Sequence, residues 1–167
     1  MKKDVLIYFD IITSIKTTEE ASNLSAEIDT LMLTLFKSQK MSLDKALDLI
    51  PKDTAKKILQ TFSKNNLDIN DKELIRGFLN TLKNLMKKFK IIKLIIAFDP
   101  TRKTIEKIHS FVSENIGIGY ILDFETDPGL LGGAVVIFNG KYSDFTVKKR
   151  LEEIFSLRSK EIMQAYK

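Results

Sequence analysis

The chain reads as an α+β protein: an N-terminal antiparallel helical bundle, then a small α/β domain with a C-terminal helix. Two observations carry that expectation. From residue 4 to about 90, apolar side chains recur at spacings of three and four. Near residue 91 the pattern gives way to short β-rich runs set off by Asp-Pro, Gly-Gly and Asn-Gly turns. The change of period places a boundary at residues 88 to 92, with a helical domain over 1–90 and an α/β domain over 91–167. No flexible linker or internal repeat is visible there, so the fifth helix is expected to lead straight into the second domain.

The helical half is read element by element. Val5, Phe9 and Ile12 share one face of a first helix. Leu24, Ile28, Leu31 and Leu35 line a second. A short third helix follows Ser42. Ala55, Ile58, Leu59 and Phe62 line a fourth, and Leu74, Phe78, Leu82, Leu85 and Phe89 a fifth. Thr17 or Thr18, Ser42 and Asp71 stand where N-caps belong, and Pro51 and the run Ser63-Lys64-Asn65-Asn66 interrupt the pattern. Five helices with short connections suit an antiparallel bundle. The apolar opening from Val5 to Ile15 contains Asp10 and leads into Glu19-Glu20 without a small-residue cleavage site. It is therefore read as a buried helix and not as a signal peptide.

The second half begins with a strand from Ile91 to Phe98, stopped by Asp99-Pro100. A helix from Arg102 to about Asn115 follows, with Ile105, Ile108, Phe111 and Val112 on one side. A strand from Tyr120 to Thr126 and another from Gly133 to Phe138 come next. Asn139-Gly140 is a strong two-residue hairpin signal, with Lys141 to Ser143 as the return strand. Val147, Leu151, Ile154, Leu157 and Ile162 give the terminal helix, Phe145 to about Tyr166, its apolar spacing.

Composition bounds the function. The 167 residues contain no cysteine and one histidine, with a net charge of +5 and 44% hydrophobic content. Thiolate zinc sites, cysteine nucleophiles and disulfides are thereby excluded. His109 alone makes neither a histidine cluster nor a zincin motif, and is read as structural. Gly129 to Gly133 lacks the phosphate-loop pattern, and a strand follows it where a helix would be needed. Asp123, Glu125 and Asp127 alternate along a strand and read as an exposed acidic face. The excess charge gathers at Lys83, Lys87, Lys88, Lys90 and Lys93, either a solvated helix face or a surface for an acidic partner. No catalytic, cofactor-binding or metal-binding set is read from the chain.

The most distinctive stretch is Asp127-Pro128-Gly129-Leu130-Leu131-Gly132-Gly133-Ala134-Val135-Val136. Pro128 and Gly129 make a tight turn, and the Gly132-Gly133 pair permits unusual dihedrals or a close backbone approach. Leu130 and Leu131 are apolar residues on that turn, suited to plug a core or a partner groove. After the hairpin comes Asp144-Phe145-Thr146-Val147-Lys148-Lys149-Arg150-Leu151, with Asp144 a candidate N-cap and Thr146 a helix-start hydroxyl.

This arrangement over residues 91 to 155 resembles the C-terminal signature of the F-type ATP synthase delta (oligomycin-sensitivity-conferring) subunit. The signature positions are Asp127, Pro128, Leu130, Gly132, Gly133, Asp144, Thr146, Arg150 and Leu151. Thr146 stands where that family has serine, and Phe145 where it often has glycine. Residues 1–90 match in helical character only, without the tyrosine- and alanine-rich first helix common in the family.

The resemblance implies a non-catalytic stator subunit linking the peripheral stalk to the catalytic head of a rotary proton-transporting ATP synthase. By that resemblance the helical domain binds the N-terminal helix of an alpha subunit, and the α/β domain binds a b-type stalk subunit. Leu151, Ile154 and Leu157 are the candidate stalk contacts, or they pack on the domain's own sheet. The expected location is the cytoplasmic face of a bacterial plasma membrane, reached through the complex, with no cofactor and no nucleic acid. An E-like stalk subunit of a V- or A-type ATPase shares a Gly-Gly strand, but Pro51 and Asn65-Asn66 argue against its single long N-terminal helix. An adaptor or regulatory protein built on the same module is the other alternative.

Overall fold

The structure, a computed structural model, describes residues 6–37 and 42–165; the side chains of residues 157 and 159–165 fall outside that description. Helix and sheet segregate along the chain as an α+β fold. In order come α1 (Phe9–Ser14), α2 (Thr18–Lys37), α3 (Leu43–Leu47), α4 (Lys52–Lys64) and α5 (Lys72–Met86). Then follow β1 (Lys90–Ile96), α6 (Arg102–Asn115), β2 (Tyr120–Thr126), β3 (Ala134–Phe138), β4 (Lys141–Asp144) and α7 (Val147–Ala165). A 3₁₀ turn, Pro128–Leu130, lies between β2 and β3. The chain divides into two compact units. One comprises Met1–Lys90 with Val112–Ile121, and the other Ile91–Phe111 with Leu122–Lys167.

In the first unit the apolar spacing produces one shared core. Leu24, Ile28, Leu31 and Leu35 of α2 are all buried, as their spacing requires. They pack with Ile58 and Phe62 of α4 and with Ile75, Phe78, Leu79 and Leu82 of α5. Phe78 is the aromatic hub: its ring stacks on Tyr8 and meets Phe62 edge-on, each with centroids 4.9 Å apart. Polar ties hold the helices laterally. Lys64 pairs with Asp10 at 2.6 Å, Lys57 donates to Ser14 Oγ at 3.0 Å, and Lys83 holds both carboxylate oxygens of Asp29.

Three sequence expectations change here. The first helix buries Tyr8, Ile11 and Ile15, while Phe9 is exposed; its core face is turned by one residue, and Val5 lies outside the described residues. Leu59 is likewise exposed. Of the caps, Asp71 accepts from the Glu73 and Leu74 amides and Thr17 Oγ1 from the Glu20 amide, but the Ser42 hydroxyl makes no cap bond. Glu20 also reaches back to the Lys16 amide at 2.7 Å, closing a reciprocal cap close to a capping box.

The sheet has the order β2-β1-β3-β4. β1 runs antiparallel to β3, pairing Lys93 with Ile137 and Ile96 with Ala134; β3 runs antiparallel to β4, pairing Val135 with Asp144 and Phe138 with Lys141. The Lys90 amide donates to Gly119 O, and the Asp127 amide to Ile96 O. These bonds at the two ends show that β2 runs parallel to β1, with α6 as the crossover. Ile92, Leu94, Ile121, Leu122 and Val135 are the buried sheet side chains. Lys93 pairs with Glu125 across β1 and β2 at 2.5 Å, and this bond raises the Lys93 ammonium above its usual range.

Candidate functional site

The turn between β2 and β3 and the root of α7 are built as one piece. Asp127 accepts the Gly129 amide at 2.9 Å, which closes the 3₁₀ turn, and Leu131 follows in the left-handed region at φ 61°. Gly132 O then accepts the Val147 amide at 3.0 Å, and Ala134 O the Phe145 amide at 2.9 Å. Gly133, at φ 78°, faces the chain where it leaves β4. A Cβ there would overlap the Phe145 carbonyl oxygen and come within 2.9 Å of Thr146 Cα. The second glycine is therefore a requirement of close backbone approach.

Thr146 is the cap of α7. Its Oγ1 accepts the Lys149 amide at 3.2 Å, and it is buried although its neighbours are exposed. Asp144 stands one step back, accepting the Thr146 amide at 2.9 Å. This corrects the expectation of Asp144 as N-cap: it orients the capping threonine. The Thr146 hydrogen bonds hold the Asp144 carboxyl below the usual carboxylate range, with smaller help from Lys149 and Lys148. A pocket of about 280 Å³ opens here, lined by Asp144, Phe145, Thr146, Lys149, Arg150 and Glu153. That is just below the size range usual for ligand sites.

Beyond its root, α7 buries none of its described side chains. Val147, Leu151, Ile154 and Phe155 are 44%, 40%, 48% and 67% exposed. Leu151 and Ile154 are therefore not buried within their own chain, while the Leu157 and Ile162 side chains lie outside the described residues. In proteins most helical stability comes from packing of an amphipathic face. A second exposed group adjoins it. Phe98 lies two residues past Ile96, whose partner is Ala134, and the Phe145 amide bonds to that same alanine. Phe98, Leu131 and Phe145 thus emerge at one end of the sheet, each about 70% exposed. Leu131 does not plug its own core. Spacing alone gave no sign of Phe98 and Phe145, because only strand register brings them together.

The other candidates are placed as follows. His109 sits half-buried on α6. Glu125 is engaged by Lys93 and Asp127 by Gly129, and no group of three metal-ligating side chains occurs among the described residues. Of the lysine cluster, Lys83 is held by Asp29, Lys93 by Glu125, and Lys90 lies over the Tyr120 ring. Internal partners therefore take up much of that local positive charge.

Compared with known families, residues 12–156 match the ATP synthase delta (OSCP) subunit. The chain belongs to this family. The match reaches well into the helical half, where the sequence had suggested likeness in character only. Among solved structures, a chain of the Polytomella F-ATP synthase (cryoEM, primary rotary state 3) aligns at 20% identity with a TM-score of 0.40. It covers 46% of this chain and 99% of that one. No curated protein matches. As a delta-family member the chain is an ATP synthase stator subunit, structural and not catalytic in kind. No described helix is long and apolar enough to cross a membrane.

Proposed function

We propose that this delta-family chain ties the peripheral stalk to the catalytic head of a rotary proton-transporting ATP synthase. The observation that carries the reading is the uncovered apolar stripe of α7 in a chain of this family. In this reading the α/β domain, 91–167, receives a b-type stalk subunit along Leu151, Ile154 and Leu157, with Val147 and Phe155 enlarging the contact. The helical domain, 1–90, is an antiparallel bundle that takes the amphipathic N-terminal helix of an alpha subunit in a groove. The complex would hold the chain at the cytoplasmic face of a bacterial plasma membrane.

The task needs no catalytic group. A stator link must resist rotor torque, and two moderate interfaces on one chain reinforce each other through effective concentration. Burying the α7 stripe against a stalk helix would also add apolar packing to this helix.

The test is a pull-down from native membranes with the tagged full-length chain, followed by identification of the retained subunits. The reading expects alpha, beta and b-type subunits together, and loss of the b-type subunit when 145–167 is deleted. Recovery of V- or A-type subunits would move the chain to the E-like role. Recovery of no rotary ATPase subunit would overturn the stator link.

A further inference from the structure

The hairpin turn carries a chemistry separate from docking. Asn139 and Gly140 are the two loop residues between the paired Phe138 and Lys141. Both have positive φ, 49° and 73°, which makes the turn type I′. Both are exposed, and nothing lies within 4 Å of where a Gly140 side chain would start. The other asparagines are followed by Leu, Asn, Asp, Thr or Ile, whose side chains crowd the next amide nitrogen; only Asn139 precedes a glycine.

We propose that Asn139 is a deamidation site held in check by the β3–β4 hairpin. The Gly140 amide nitrogen, its proton taken by hydroxide, attacks Cγ of Asn139. The bond from Cγ to the side-chain nitrogen breaks, ammonia leaves, and a five-membered succinimide remains. Water then opens the ring at one carbonyl or the other, leaving an aspartate or an isoaspartate at this position. Nothing is oxidised or reduced. Ring closure requires rotation about the Cα–C bond of Asn139, and the type I′ turn fixes that bond in the left-handed region. The folded hairpin must open locally before the reaction proceeds.

The two products differ in consequence. Aspartate suits the same turn, since Asp-Gly is also a type I′ pair, and adds one negative charge. Isoaspartate lengthens the backbone by one carbon and breaks the two-residue spacing that sets Phe138 opposite Lys141. The far end of β4 carries Asp144 and Phe145, which seat α7. A shifted β4 therefore loosens the root of that helix.

The experiment incubates the full-length chain in mildly alkaline buffer, native and in urea, and follows each asparagine-containing peptide by mass. In urea the Asn139 peptide gains the amide-to-acid mass before the Asn84 peptide. In the native chain it does so more slowly by about tenfold or more, as protection by local structure requires. The native isoaspartyl fraction exchanges its Lys149 and Arg150 amides faster than the unmodified chain. Equal rates for Asn139 and Asn84 in urea would overturn the site, and equal native and urea rates would overturn the gating. Unchanged exchange at Lys149 and Arg150 would overturn the link to α7.

Discussion

Gly133 and Phe145 approach so closely that the phenylalanine carbonyl oxygen occupies the space where a side chain at 133 would begin. The contact joins the start of β3 to the exit of β4, two residues before α7. Gly133→Ala is expected to destabilise the α/β unit by about 2–4 kcal/mol, through both overlap and positive φ. Thermal or urea unfolding checks this, and an unchanged midpoint would contradict the geometry.

Gly77 is the opposite case. It lies exposed in the middle of α5, and nothing stands within 4 Å of a Cβ placed there. Gly77→Ala should stabilise the helical unit by roughly 0.5–1 kcal/mol, because alanine costs less backbone entropy in a helix. A lowered unfolding midpoint would count against the open space assigned there.

The cap of α7 has a defined pH response. Asp144 is depressed by the bonds to Thr146, so its folded value lies below its unfolded one. Its contribution is complete above the unfolded value and lost as pH falls through the folded one, below the ordinary carboxylate range. Amide exchange at Lys149 and Arg150 should accelerate across that acidic window in the wild type. Asp144→Asn should flatten the response. Thr146→Ala should cost about 1 kcal/mol of local stability.

Phe78 joins Tyr8 and Phe62 at the centre of the helical core and is 4% exposed. Phe78→Ala should cost about 3–5 kcal/mol, a large part of an ordinary domain's stability. Chemical unfolding followed by circular dichroism measures it. A loss below about 1 kcal/mol would mean that the stack is not packed as described.

How much could be read in the sequence follows from which residues had competitors. The Leu24-Ile28-Leu31-Leu35 stripe was legible because α2 is long and the positions between Leu24 and Leu31 are mostly polar. Residues 5–15 are apolar nearly all round, so spacing did not decide between Phe9-Ile12 and Tyr8-Ile11-Ile15; packing against Phe78 did. The Gly-Gly pair announced a close approach without naming Phe145 as the neighbour. Asp144 and Thr146 are both capping residues two positions apart, and only the bond to the Lys149 amide assigns the cap. The exposure of Leu151 and Ile154 was illegible for a more general reason: an amphipathic helix has the same spacing whether it covers its own sheet or a partner.

The central claim is that the bare face of α7 is a docking surface and not part of the domain's own core. Its most direct measurement compares the tagged wild type with a Leu151→Asp/Ile154→Asp double variant in the membrane pull-down, with thermal unfolding of both in parallel. The account expects the variant to keep its unfolding midpoint, since exposed substitutions usually shift stability by no more than about 0.5 kcal/mol, while losing the b-type stalk subunit. Retention of that subunit at wild-type yield by a fully folded variant would contradict it.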